Sequence, residues 1–456
     1  MTPMTIDALR GQVRGEVITE TDAGYDEARK VYNAMHDRMP AVVVRCANPG
    51  DVMAAVRFGR ERGGDVSVRG GSHSAPGFGT NDGGTVIDLS PMRGIRVDPR
   101  TRTARAEGGV TWGDFNHATH AFGLATTGGI ISTTGIGGLT LGGGIGYLLR
   151  GLGLSIDNLL SADVVTADGE FVVASEREHE DLFWALRGGG GNFGVVTSLE
   201  YRLHPVNDVV VGVFIFSLER ARDLLRWYRD FIGTAPEELG AFPAFLIAPP
   251  LPFIPEKEHG KAFCGMVACW AGARDKGEEA FSPIRSLGPT VGELVTPMPY
   301  PAINTLFDAL LPPGLQQYWK GAFATELTDA AIDVHLEHGP SIPTVNSAMH
   351  IYPLSGAFAR VSPDATAFPY RDARFATVIA GAWPDAADND KNIGWVKAYN
   401  RALEPHSSGA GYINFMDADD QKRVKENYGR HYERLVSIKR KYDGDNVFHM
   451  NQNIKP

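Results

Sequence analysis

The chain has 456 residues, 43% of them hydrophobic and 21% charged, with a formal net charge of −10. That length exceeds one compact core and suits two domains. An acidic balance without a Lys/Arg run argues against a nucleic-acid surface, and no apolar stretch approaches the roughly 20 residues of a membrane span.

Residues 1–17 mix Asp7, Arg10, Arg14 and Glu16 and hold no apolar signal core, so a cytoplasmic address is the expectation. Residues 5–40 read as helical, with a cap near Thr21 or Asp22. Ala41–Arg45 is a buried strand, and Asn48-Pro49-Gly50-Asp51 turns into a helix over Val52–Gly63. The β-branched run Val66–Arg69 then ends in Gly70-Gly71-Ser72-His73-Ser74-Ala75-Pro76-Gly77. Glycines let backbone approach a ligand closely, and successive amide N–H groups in such a turn can form an anion-binding nest. Arg69 adds a positive fork suited to phosphate. His73 is the one imidazole at the lip of that nest.

Short strands follow at 85–89 and 103–106, then a strand end entering a helix at 108–115. His117 and His120 lie one helical turn apart with no supporting ligand cluster, so they read as a solvated face and no metal is expected. Residues 127–147 are the densest glycine region, and their Ile and Leu content separates them from a flexible linker. Two readings stay open there: a cofactor cradle or a tightly packed corner. Ala162–Thr166 is an alternating strand leading into the Ala167-Asp168-Gly169-Glu170 hairpin. Gly189-Gly190-Gly191-Asn192-Phe193-Gly194 spells G-x-G-x-x-G, but a helix precedes it and a strand follows. That order is the reverse of the nicotinamide fingerprint.

From about residue 207 to 407 the glycine clusters stop. Strands such as Val209–Ser217, Ala262–Ala271 and Ala348–Leu354 alternate with helices such as Leu218–Phe231, which reads as an antiparallel sheet with helices on one face. Phe242–Pro255 is apolar and Pro-rich, a candidate pocket rim or interface. A helix is expected over Gln421–Lys441. Cys46, Cys264 and Cys269 read as buried thiols, the last two on opposite faces of one strand.

Three stretches carry a resemblance: residues 66–205, with the His73 loop, GIGGLTLGGGIG and GGGGNFGVVTS; Thr366–Asp372 with Trp383; and Tyr412-Ile413-Asn414-Phe415 through Asn451-Gln452-Asn453-Ile454. The chain resembles the FAD-linked oxidases of the vanillyl-alcohol oxidase and berberine bridge enzyme family, in the single-tether 6-hydroxy-D-nicotine oxidase type. The resemblance implies an α+β fold: a two-part, PCMH-type FAD-binding domain (1–206 and 408–456) split by a substrate domain (207–407) whose antiparallel sheet is covered by helices.

It implies FAD bound covalently through His73 at the 8α-methyl group. Arg69, Gly70, Gly71, Ser72, Ser74, Gly77, Gly135, Gly137, Gly138, Gly142, Gly143 and Gly144 would cradle the pyrophosphate and ribityl chain. Thr134, Leu139, Asn192, Val195, Tyr412, Asn414, Asn451 and Asn453 would stand beside the cofactor. Many relatives have a second tether at a Cys; Ile131 stands there, so one tether is expected. Thr134 stands where the family gates oxygen, and Leu139 where a His is frequent.

The family chemistry is hydride transfer to flavin, with a base removing a proton. Many relatives carry a Tyr base where this chain has Phe415, and Tyr370 stands where His is usual. The open candidates for the base are His350 and Tyr352, on one strand face by i, i+2 spacing, with Tyr412 and Tyr370. Tyr412 could instead pack on FAD, and His350 could be a hydrogen-bonded core residue. The expected activity is oxidation of a CH–OH or CH–NH group on a small, largely apolar or aromatic molecule, with molecular oxygen reduced to hydrogen peroxide. Neither nucleic acid nor membrane is an expected partner. A sugar oxidase, a dehydrogenase with another acceptor and a flavin-bearing binding protein remain as rivals.

Overall fold

A computed structural model describes residues 4–456. Met1–Pro3, part of the segment read for a signal core, and the side chains of Gln421 and Lys422 lie outside the described residues. The strands run in chain order β1 Glu16–Ile18, β2 Val42–Arg45, β3 Val66–Arg69, β4 Thr85–Asp88, β5 Ile95–Asp98, β6 Thr103–Glu107, β7 Leu124–Ala125, β8 Leu159–Val165, β9 Phe171–Ser175, β10 Val195–Arg202 and β11 His204–Pro205. A larger set follows: β12 Asp208–Phe216, β13 Leu239–Ile247, β14 Ala262–Trp270, β15 Gly292–Pro299, β16 Gln316–Ala324, β17 Ala348–Pro353 and β18 Phe375–Trp383.

Among the described residues these form three larger sheets and a two-stranded pairing of β7 with β11. The first has order β1-β2-β4-β3, with β2 and β3 both parallel to β4. The second is antiparallel, in order β5-β6-β10-β8-β9. The helix Pro49–Arg62 lies between them: Val52, Ala55, Val56 and Phe58 share a core with Val42, Val44 and Val66 of one sheet and Val165 and Val195 of the other. Its start has a physical cause. Asn48 caps the backbone N–H of Asp51, and Pro49 fills the first turn.

The third sheet is antiparallel, in order β15-β12-β14-β13-β17-β18-β16. Period-two alternation decides its two faces. Phe214, Met266, Met349, Ile351 and Ile379 pack against the helices Ala221–Phe231, Asp329–His338 and Asn389–Leu403. The residues between them point the other way, toward the glycine-rich half of the chain. Cys264 and Cys269 fall on these opposite faces, and all three thiols are buried.

Two sequence expectations fail locally and a third holds only in part. Residues 5–40 are not one helical region: only Ile6–Gln12 and Tyr25–Ala28 are helical. A Cβ on Gly15 would lie 1.8 Å from the Arg45 carbonyl oxygen, and the Asp51 carboxylate accepts from the N–H groups of Arg14 and Gly15. This draws residues 16–18 into the sheet as β1. Beyond Ala28 the backbone stays irregular and lies along the His73 loop, with Asn33 Nδ2 donating to the Ala75 and Gln317 carbonyls.

The expected rim Phe242–Pro255 begins inside a central strand, β13, and Phe242, Ala244 and Leu246 of that strand do line the cavity. Pro243 is tolerated there because β17 pairs with Ala244 and Phe245. The expected helix Gln421–Lys441 is broken; Gly429 at φ +49° separates Val424–Tyr428 from the later helix Tyr432–Tyr442. No helix among the described residues is long and apolar enough to cross a membrane.

Candidate active site

β3 delivers the His73 loop. Arg69, the last residue of the strand, is buried; its guanidinium donates to Asp88 Oδ2 (2.7 Å) and to the carbonyls of Ala28 and Lys30. The expectation that Arg69 binds phosphate is therefore corrected: although the residue lines the cavity, its charge is already paired inside the protein. Breaking a buried pair strands the remaining charge. Arg69→Met is expected to cost about 3–5 kcal/mol of stability, read by denaturant unfolding of the cofactor-free protein.

Gly70 and Gly71 come next. A Cβ on Gly71 would lie 2.2 Å from the Gly135 nitrogen, and one on Gly135 would lie 2.4 Å from the Gly71 nitrogen. The two loops thus cross backbone against backbone. Ser72 holds φ +66°, a left-handed value unusual for a side-chain-bearing residue. Its hydroxyl accepts from the Tyr32 N–H at 2.9 Å.

The His73 ring is held on both sides. Tyr32 stacks on it at 3.7 Å between centroids. Thr133 Oγ1 lies 2.9 Å from Nε2, and Thr134 Oγ1 lies 3.4 Å from Nδ1. The Tyr32 hydroxyl donates to the Leu311 carbonyl, which ties this clamp to the neighbouring wall.

These groups line a cavity of about 2370 Å³, its mouth included. It runs from the His73 loop and the crossing glycines to the free face of the third sheet. Gly138 and Gly191 also line it, and a Cβ on either would meet nothing within 4 Å. Bare main chain therefore borders open space, the form a dinucleotide needs.

Arg69, Gly70, Gly71, Ser72, His73, Ser74, Thr134, Gly135, Gly137, Gly138, Leu139, Asn414 and Asn451 lie on this cavity. Other expected contacts do not. Gly77 (φ +68°) packs on His36, and Gly142, Gly143 and Gly144 pack on Asn414, Phe368 and Ser155. Asn192 is buried and ties the C-terminal segment, donating to the Gly189 and Gln452 carbonyls and accepting from the Ile454 N–H. Val195 turns into the core, so its neighbour Val196 meets the cavity instead. Asn453 is not among the lining residues.

The catalytic candidates divide in the same way. His350 and Tyr352 both line the cavity, with ring centroids 4.7 Å apart in an edge contact. Tyr412 does not: its oxygen accepts from the Gly144 N–H at 2.8 Å and Asn414 Nδ2 at 2.9 Å. Tyr370 is turned away and donates to the Glu426 carbonyl. Phe415 is on the wall, packed near Trp319 and over Gly321. Tyr32 and Thr133 gave no sequence signal, because nothing local says which distant loop they meet. Trp319 became legible only once the parity of β16 was known.

Burial pushes His73, His350 and His335 down to about 3 from an ordinary 6.5. Between pH 6.5 and about 3 the unfolded chain therefore holds protons that the folded chain refuses, so acid favours unfolding across that window. The melting temperature of the cofactor-free protein is expected to fall from pH 7 to pH 5. His335→Gln, a change remote from the cavity, should flatten that fall.

Two family profiles match the chain: the FAD binding domain over residues 40–175, and berberine and berberine-like proteins over residues 411–455. An FAD-linked oxidoreductase of Dictyostelium discoideum is 33% identical, covering 91% of this chain and 89% of that protein. The (R)-6-hydroxynicotine oxidase of Paenarthrobacter nicotinovorans is 31% identical over 97% of each. The chain belongs to the FAD-linked oxidoreductases of the berberine bridge enzyme family. The crystal structure of 6-hydroxy-D-nicotine oxidase from Arthrobacter nicotinovorans aligns with it at a TM-score of 0.86 and 28% identity, covering 100% of this chain and 99% of that one. The PCMH-type FAD-binding fold expected from the sequence is thus the fold of this FAD-linked oxidoreductase. The open-sided glycines and the clamped imidazole fit FAD.

Proposed function

We infer that this FAD-linked oxidoreductase carries its FAD tethered through His73 alone and oxidises a CH–OH or CH–NH group on a small, largely apolar or aromatic molecule. Molecular oxygen is the electron acceptor in this reading, and hydrogen peroxide leaves. The observation that carries it is the position of His73, clamped between Tyr32 and Thr133 where the glycine crossing meets an aromatic-walled chamber. Each ring nitrogen of His73 faces a threonine hydroxyl, and the neutral ring keeps one lone pair for a bond. Ile131 lines the cavity and no cysteine does among the described residues, which supports a single tether.

When bound, the flavin supplies hydride acceptance. The chain supplies position and a proton site. Tyr412 and Tyr370 are engaged elsewhere, so the base falls to His350 or Tyr352. His350 is neutral at working pH and has no hydrogen-bond partner among the described residues. Anaerobic bleaching of the flavin by a panel of alcohols and amines tests the reading, with peroxide measured on readmission of air. His350→Ala is expected to slow bleaching by about 10²-fold, the low end for a positioned base, because burial lowers its basicity, and Tyr352→Phe by less. A parent enzyme that no donor bleaches would remove the oxidase reading.

A further inference from the structure

The chamber above the His73 loop carries no free charge. None of its lining residues is Asp, Glu or Lys, and its single Arg, Arg69, is consumed by Asp88 and two carbonyls. The sheet face that roofs it is also shaped. Register places Ala348 opposite Ala380, and Ala380 opposite Trp319, in one row across the sheet. In the adjacent row His350 pairs with Val378 and Val378 with Gly321, over which Phe415 packs. Small residues thus form the middle of the roof, with His350 and Tyr352 on one flank and Trp319 and Phe415 on the other.

The geometry points to a neutral, hydroxyl-bearing aromatic donor, seated flat beneath the alanines with its CH–OH group at the His350–Tyr352 flank; ammonium and carboxylate compounds are excluded. This rests on the reading of the chamber as the donor site and narrows it from alcohol or amine to alcohol. The donor hydroxyl gives its hydrogen to a ring nitrogen of His350 and accepts from the Tyr352 hydroxyl, two groups with no protein hydrogen-bond partner among the described residues. On oxidation the O–H proton passes to His350, the carbinol hydrogen leaves with its electron pair to FAD, and a C=O bond forms. An alkylammonium would enter without a carboxylate to meet it, and a carboxylate without a cation; burying either unpaired is heavily penalised.

The test uses size-matched triplets on the FAD-loaded enzyme: benzyl alcohol, benzylamine and benzoate, then cinnamyl alcohol, cinnamylamine and cinnamate. Anaerobic perturbation of the flavin spectrum gives affinity, and bleaching gives hydride transfer for the alcohols and amines. Within each size class the alcohol is expected to bind at least about 100-fold more tightly than either charged analogue. His350→Asp, which places a carboxylate on that flank, is expected to turn the preference toward the amine. An amine or carboxylate that equals the alcohol in the parent overturns the inference, as does failure of every triplet to perturb the flavin. Bleaching by amines alone would leave the oxidase reading intact and sink only the narrowing to neutral alcohols, so the two failures are distinguishable.

Discussion

His73→Ala is expected to leave the yellow cofactor in the supernatant after acid precipitation, whereas the parent keeps it in the pellet. The reasoning begins with the stacked Tyr32 ring and the Thr133 hydroxyl 2.9 Å from Nε2. Together they fix the imidazole in one orientation, and burial keeps it neutral, with a lone pair rather than a second N–H. Removing the ring removes that nitrogen while leaving the glycine cradle intact. The variant should therefore still bind FAD reversibly. Thr133→Val should give a mixed result, with part of the flavin tethered and part released. A parent that releases all its flavin in acid would end the covalent reading.

Gly135→Ala is expected to yield protein with little or no flavin. The added methyl would lie 2.4 Å from the Gly71 nitrogen and 2.8 Å from its Cα, and both obstacles are main chain. Neither can rotate away as a side chain could, so the crossing must open and displace the His73 loop. We expect destabilisation above about 4 kcal/mol, in the severe range for single changes, measured by unfolding of the cofactor-free protein. Gly11→Ala, where a Cβ meets nothing within 4 Å, is the matched control. Full flavin loading of Gly135→Ala would show that the crossing tolerates separation.

Much of the architecture was legible because it is periodic. The alternating strands of the third sheet, the capped helix at Pro49 and the strand leading into the His73 loop each follow from local residue chemistry. The glycine-rich region was harder, since a ligand cradle and a tight corner need the same residue. Both occur: Gly135, Gly137 and Gly138 face the cavity, whereas Gly144 packs on Ser155 and a Cβ on Gly146 would lie 1.7 Å from the Gly128 carbonyl oxygen. No pattern in the run separates the two uses. Arg69 misled for a related reason. A guanidinium beside a glycine turn suits phosphate, but its partner Asp88 lies on β4, a pairing that only the parallel sheet reveals. Tyr412 was ambiguous until its hydroxyl was seen to meet Gly144.

The cavity wall joins residues 66–79 to residues 448–452. Lys439, fully buried, binds the Asn192 and Phe448 carbonyls and Asp443, which holds that late segment in place. The chamber therefore closes only when residues 448–452 dock beside the His73 loop, however well that loop is formed by itself. Unseating that late segment, as Lys439→Met would, leaves the imidazole on its loop but strips the chamber of part of its wall.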